Sequence, residues 1–235
     1  MTFSICVREP YTSESNNDPN NDNTEYRFGV AVTTRLPGVG TLCPFASEYG
    51  AVATQSRVNV ELGEKGIEYL NDGIAVDDAL QALLNADEGR SERQLHGIDR
   101  NGKFTFSGED CHEWYGHTSG ESYTVAGNLL VGEEVITQTG RTYAESDREK
   151  DLGRRLIDAL AAGHAEGGDK REERTVQSAA LIIVDSGTDN APYHHDLRVD
   201  ATDSPIEDLE TVYELAKETF LSDMEEERND ENEEK

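Results

Sequence analysis

Apolar residues along this chain gather into short runs of strand length and into longer stripes at helical spacing, with polar turns between them. Met1-Thr2-Phe3-Ser4-Ile5-Cys6-Val7 reads as a strand at the start of the chain. Glu9 to Glu25 is then rich in Asn, Asp, Ser and Pro with almost nothing apolar, a polar surface loop inserted before a β-branched strand from Tyr26 to Thr34. Arg35 to Gly40 makes a turn, and Gly50 to Gln55 a further short strand. Two helices follow, Glu61 to Asp72 and Val76 to Ala86. Val76, Ala79, Leu80, Leu83 and Leu84 form one stripe of the second, and Gly73 separates the pair. Arg93 to Asp99 and Lys103 to Ser107 flank Arg100-Asn101-Gly102, a strong hairpin signal.

The second half repeats the theme. Tyr123 to Leu130 reads as a strand, Glu133 to Ala144 as a helix, and Asp151 to Ala162 as another helix stopped by Gly163. A charged loop leads to a buried strand from Gln177 to Asp185 and a last strand from His194 to Val199. Pro205 sits at the first turn of a final helix that runs to Leu221, with Ile206, Leu209, Val212, Tyr213, Ala216 and Phe220 on one side. Ser222 to Lys235 carries eight acidic and two basic residues and is expected to be a disordered tail. Strand runs joined by hairpins, with helices in pairs, predict an α+β fold: antiparallel sheets covered by helices, in one domain over 1–221.

Charge changes this picture in one respect. Asp and Glu number 49 against 21 Lys and Arg, a formal net charge of −28, and fifteen of the cations are Arg. Such a balance can signal disorder, but Phe28-Gly29-Val30-Ala31-Val32 and Ala179-Ala180-Leu181-Ile182-Ile183-Val184 are core-forming segments. A folded, salt-adapted protein from a halophilic source fits better, since molar salt shortens the Debye length to ~3 Å and screens the self-repulsion. Such a protein is expected to lose stability in dilute buffer. The same charge would repel nucleic acid and anionic membranes, and no basic patch interleaved with aromatics occurs. There is no apolar leader and no run near eighteen apolar residues, so the expected location is cytoplasmic, with no membrane partner. Cys6, Cys43 and Cys111 leave one over from pairing and are expected to be reduced and mostly buried.

Three groups carry candidate chemistry. Thr2 becomes the N-terminal residue if Met1 is removed, and then holds a hydroxyl nucleophile and an α-amine base together; otherwise it is an ordinary second residue. Gly127-Asn128 closes a strand, where an amide can donate to a developing oxyanion or simply cap a turn. Cys111-His112-Glu113-Trp114-Tyr115-Gly116-His117 invites a metal, but its spacing builds no tetrahedral site, and neither metal nor cofactor is expected. Asp99-x-Asn101 begins like a calcium loop and then lacks the distal glutamate, which leaves the hairpin. The Gly-x-Gly at Gly38 lacks the third glycine of a dinucleotide fingerprint, and no Gly-x-Ser-x-Gly elbow is present.

Taken together, several ordered segments resemble a known family. They are Thr2-Phe3-Ser4-Ile5-Cys6-Val7, Phe28-Gly29-Val30-Ala31-Val32, Gly50-Ala51-Val52-Ala53-Thr54-Gln55, Trp114-x-Gly116-His117-x-x-Gly120, Ala126-Gly127-Asn128-Leu129-Leu130, Gly167-Gly168-Asp169 with Gln177-Ser178-Ala179-Ala180-Leu181, and Asp196-Leu197-Arg198-Val199-Asp200. The family is the prokaryotic domain of unknown function 1028, placed with the N-terminal-nucleophile (Ntn) hydrolases. The resemblance implies a four-layer αββα sandwich of two antiparallel sheets between helix layers. It also implies an amidohydrolase acting on a small-molecule substrate, with Thr2 as nucleophile and Asn128 as an oxyanion donor. Gln55 and Arg35 would belong to the same pocket, with Arg35 keeping the amine neutral by like-charge repulsion. The resemblance and the apolar helices together imply a homodimer. Cys6, Arg8-Glu9-Pro10 and the long polar insertion depart from the family pattern. The alternative is a non-catalytic Ntn-like domain that binds a small ligand or a partner protein.

Overall fold

The computed structural model describes residues 2–11, 25–171, 173–185 and 195–233. One sheet holds six strands: β1 (Thr2–Tyr11), β2 (Glu25–Thr34), β7 (Gly116–Ser119), β8 (Tyr123–Asn128), β9 (Gln177–Asp185) and β10 (Asp196–Thr202). Their spatial order is β10-β9-β2-β1-β8-β7, and every neighbouring pair is antiparallel. The other sheet is a meander of β3 (Pro44–Ser47), β4 (Gly50–Ser56), β5 (Arg93–Asp99) and β6 (Lys103–Ser107). Among the described residues there are five α-helices: α1 (Val60–Asn71), α2 (Val76–Ala86), α3 (Glu134–Glu145), α4 (Leu152–Ala165) and α5 (Pro205–Glu233).

Strand alternation sorts side chains into three packed layers. Phe3, Ile5 and Val7 of β1 point to one face of the large sheet, where they meet Val135, Leu156, Leu160 and Tyr213 from α3, α4 and α5. Cys6, with Val30 and Val32 of β2, points to the other face and packs on Ala51, Ala53 and Ile98 of the small sheet. Beyond the small sheet, Val52 and Leu95 meet Leu62, Leu80 and Leu84 of α1 and α2. The layers therefore read helix, sheet, sheet, helix, as expected for the αββα sandwich.

Local chemistry explains several element ends. Asn59 caps α1 by accepting from the Glu61 amide at 3.2 Å. Asp99 caps α2 from a distance: its Oδ2 accepts the Val76 amide at 2.8 Å while its Oδ1 accepts from Asn101 at 2.7 Å and Gly102 at 2.5 Å. Asp99-x-Asn101 is thus a hairpin turn that also holds a helix start. All three cysteines are buried and free.

Some expectations give way. Glu9 to Tyr11 do not belong to a loop; they extend β1 and pair with Glu25 to Arg27. Glu9 is 8% exposed, and its carboxylate meets Arg155 at 2.5 Å, Arg148 at 3.0 Å and Arg27 at 3.8 Å. A strand that looks polar in sequence is here tied down above all by Arg155, from a helix 146 positions away. The remainder of the polar insertion, residues 12–24, lies outside the described residues, as do Met1 and His194. Gly163 does not end α4, which continues to Ala165. A Cβ there would fall 2.2 Å from Thr139 Oγ1 and 2.9 Å from Phe3, so this glycine serves close helix–helix approach. Finally, α5 runs to Glu233 through most of the stretch expected to be a disordered tail. No Gly or Pro follows Pro205, and Glu-rich sequence propagates a helix readily. Among the described residues no helix is long and apolar enough to cross a membrane.

Candidate active site

β1 lies between two partners, and Thr2 is opposite Thr34 of β2 on one side and Asn128 of β8 on the other. Thr2 is half-buried, and its hydroxyl donates to Thr34 Oγ1 at 3.2 Å. Thr2, Ser4 and Cys6 alternate with the helix-facing residues, so they share the face turned toward the small sheet.

Behind Thr2 this inter-sheet layer is polar. Ser4 Oγ donates to Gln55 Oε1 at 2.8 Å, and Gln55 Nε2 donates to Gln94 Oε1 at 2.9 Å. Gln94 Oε1 also accepts from Asn128 Nδ2 at 3.0 Å. The Gln94 Nε2 group shares its two N–H bonds among Gly127 O (2.7 Å), Ser107 Oγ (2.9 Å) and Gly116 O (3.0 Å). On the other flank His96 links Ser4 Oγ at 2.8 Å to Thr124 Oγ1 at 2.9 Å. Because the Ser4 hydrogen is committed to Gln55, its oxygen accepts from His96 Nε2–H, and His96 Nδ1 accepts from Thr124; this tautomer follows from the network. Ser4, Gln55, Gln94, His96 and Thr124 are all at most 1% exposed. Buried polar groups persist only when partnered, and these partner one another in an unbroken chain from Thr124 to Asn128.

Burial, with a lesser contribution from the nearby His117, drives the His96 pKa down to about 3. Native His96 is therefore neutral across the physiological range. An unfolded histidine titrates near 6.5, so between about pH 3 and 6.5 the unfolded state binds more protons. The His96 contribution to stability is full above that window and is lost as pH falls through it, with a slope approaching ~1.4 kcal/mol per pH unit. In a fixed-salt NMR titration the His96 ring signals should stay flat from pH 8 to 5. A midpoint near 6.5 would contradict this.

The open end is closed by a third element. Gly167 and Gly168 adopt φ values of 100° and 48°, a conformation that favours glycine, and bring Asp169 into a bridge with Leu130 just beyond β8. Asp169 is 2% exposed. Its Oδ2 accepts the Arg35 amide at 3.1 Å, and both its oxygens accept from the Arg171 guanidinium, at 3.1 and 3.0 Å. Burial opposes ionisation, but the Arg171 hydrogen bonds and nearby positive charge together hold the carboxyl below the usual carboxylate range. Arg35 reaches away along the same loop to donate to Arg174 O at 3.0 Å. Among non-glycine described residues, only Ser56 and Leu129 have positive φ, 74° and 54°. Each directly follows a member of the layer, Gln55 and Asn128.

Of the four residues singled out from sequence, Thr2 and Asn128 come together as cross-strand partners. Arg35 adjoins them through Thr34 and Asp169. Gln55 is displaced: at 1% exposure it lies inside the sandwich and connects to Asn128 only through Gln94. Gln94, His96 and Asp169 are members that sequence reasoning did not assign. The signal for the first two was present in β5, where Gln94, His96 and Ile98 alternate on one face of a buried strand. The Cys111–His117 segment frames the site. Cys111 donates to Arg93 O at 3.3 Å, His117 pairs with Ser107 at 3.0 Å, and the carbonyls of His112 and Trp114 accept from Leu129 and Leu130, each at 3.0 Å. Among the described residues no three His, Cys, Asp or Glu side chains converge as metal ligands.

A family model described as "Family of unknown function (DUF1028)" matches residues 2–209. Among solved structures, the chain is similar to the crystal structure of protein SPO2555 from Silicibacter pomeroyi, a DUF1028 protein. The two share 26% sequence identity with a TM-score of 0.72, over 92% of this chain and 85% of that one. No curated protein matches.

Proposed function

The chain belongs to the DUF1028 family, and from the arrangement around Thr2 we propose that it is an N-terminal-nucleophile hydrolase that cleaves an amide or related acyl bond in a small substrate. The observation that carries this reading is the placement of Thr2: a half-buried hydroxyl at the head of a doubly paired strand, beside Thr34 and opposite Asn128. Such a position suits a reactive atom, because a strand clamped on both edges fixes it with little freedom to misalign.

In the proposed reaction Met1 is removed, and the Thr2 hydroxyl attacks the substrate carbonyl while its proton passes to the Thr2 α-amine. Asn128 has one N–H committed to Gln94; its second N–H, with nearby backbone amides, stabilises the oxyanion. Collapse of the tetrahedral intermediate breaks the C–N bond, and the leaving amine takes the proton held by the α-amine. Water then attacks the Thr2 ester, releasing the carboxylic acid and restoring the hydroxyl. Arg35 lends the site its backbone amide, which holds Asp169, while its guanidinium turns away to Arg174 O.

The test begins with intact-mass analysis of the natively expressed protein, which should lack Met1 and carry a free amine. A β-lactone should then add one equivalent to Thr2 as a hydroxylamine-sensitive ester, and Thr2→Ala should abolish that ester. A retained or acetylated terminus, or no ester on the wild-type protein, would sink the reading and favour a non-catalytic ligand-binding domain.

A further inference from the structure

The side-chain amide of Asn128 can face its neighbours in two ways, and the structure fixes one of them. Gln94 decides the matter. Its Nε2 lies against the carbonyls of Gly127 and Gly116 at 2.7 and 3.0 Å, two groups that can only accept. Its orientation is therefore forced, with Oε1 turned to Gln55 and Asn128. An oxygen at that place requires a donor opposite, so the Asn128 Nδ2 group must turn toward it. The planar amide then has one remaining N–H whose direction is set by the bond to Gln94. Gln94 belongs to the small sheet and Asn128 to the large one. The contact spans the sandwich in a fully buried setting, where each bond is strengthened by low polarity and costly to lose.

We infer that Gln94 is the positioning residue of the site: it acts through Asn128, holding that amide in the one orientation that leaves an N–H for the oxyanion. This rests on the hydrolase reading above. Gln94 itself does not touch the reacting atoms, and Gln55 is the second donor that fills its acceptor oxygen.

The experiment measures acylation of Thr2 by a β-lactone, followed by intact mass at fixed salt and resolved into KI and kinact. The chemistry balances: the lactone acyl C–O bond breaks, a Thr2 ester forms, and the hydroxyl proton ends on the released alkoxide. Gln94→Met, of similar length but without polar atoms, should leave KI within about twofold and lower kinact roughly 10- to 100-fold, the scale expected for misplacing a reacting group. Asn128→Ala with Gln94→Met should label no more slowly than Asn128→Ala alone, because the two act as one unit. Gln94→Glu keeps an oxygen toward Asn128 and needs a proton on its second oxygen to donate to Gly127 O. Its kinact should therefore fall as pH rises, relative to the wild-type profile.

An unchanged kinact in Gln94→Met, or effects that add in the double variant, overturns the inference and leaves the hydrolase reading standing. If Gln94→Met does not fold, Gln94→Glu decides, and a pH profile parallel to wild type overturns the inference. No ester on the wild-type protein removes the hydrolase reading, and the inference with it.

Discussion

Replacing Glu9 by alanine should cost about 3–5 kcal/mol of stability, the scale for leaving a buried charge without its partner. For a chain of this size that lowers the melting temperature by about 6–20 °C. The reason lies in Arg155, which is fully buried and meets Glu9 Oε2 at 2.5 Å. Its other contacts are a bond to Ser146 Oγ at 2.8 Å and the ring of Tyr143 at 5.0 Å, neither of which neutralises it. Arg148 and Arg27, with side chains 50% and 27% exposed, retain water and contribute much less. The pairing therefore makes a second prediction within the first: Glu9→Ala combined with Arg155→Met should recover much of the loss, because an apolar pair need not be desolvated. Thermal unfolding at constant salt measures both. A loss below about 1 kcal/mol in the single variant would show that Arg155 finds its compensation elsewhere.

Asn128→Ala should slow acylation of Thr2 by roughly 10²- to 10³-fold, as expected when one preorganised oxyanion donor is removed. The same change removes one of the two donors to Gln94 Oε1, but Gln55 Nε2 remains at 2.9 Å. The acceptor is still satisfied, so the stability cost should stay near that of one buried hydrogen bond, ~1 kcal/mol. Rate and stability thus separate. A rate within threefold of wild type would remove Asn128 from the oxyanion role and leave the backbone amides to serve it.

Much of this architecture was readable from residue patterns, and the failures have physical causes. The Arg93–Asp99 and Lys103–Ser107 hairpin appears with the boundaries that Asn101-Gly102 predicts, because that turn chemistry is local. β3 and β7, at four residues each, are too short to show alternation. Glu9 looked like loop because its closest partners, Arg155 and Arg148, lie on α4 and in the turn before it, a contact that no local window contains. The buried polar layer was hidden for a related reason. Ser4, Gln55, Gln94, His96 and Thr124 come from four strands, and each alone looks like a surface residue. Only the stacking of the two sheets brings them into one layer. Thr2 and Asn128 could be singled out as candidates because both lie at strand ends, where a sequence can be read for chemistry; Asp169, delivered by a glycine-rich turn, depends on where that turn folds.

The position of β1, between β2 and β8 in the middle of six strands, has a consequence for how the site can change over time. Amides of a strand hydrogen-bonded on both sides exchange with solvent only when the whole sheet opens, so the platform under Thr2 is as durable as the fold itself. Nothing near Thr2 can be adapted by loosening that strand without risking the protein. The exposed stretches 131–133 and 173–174 carry no such burden. Divergence among relatives should therefore accumulate in those two stretches, where a new ligand preference costs no core contact, while the strand beneath them stays the same.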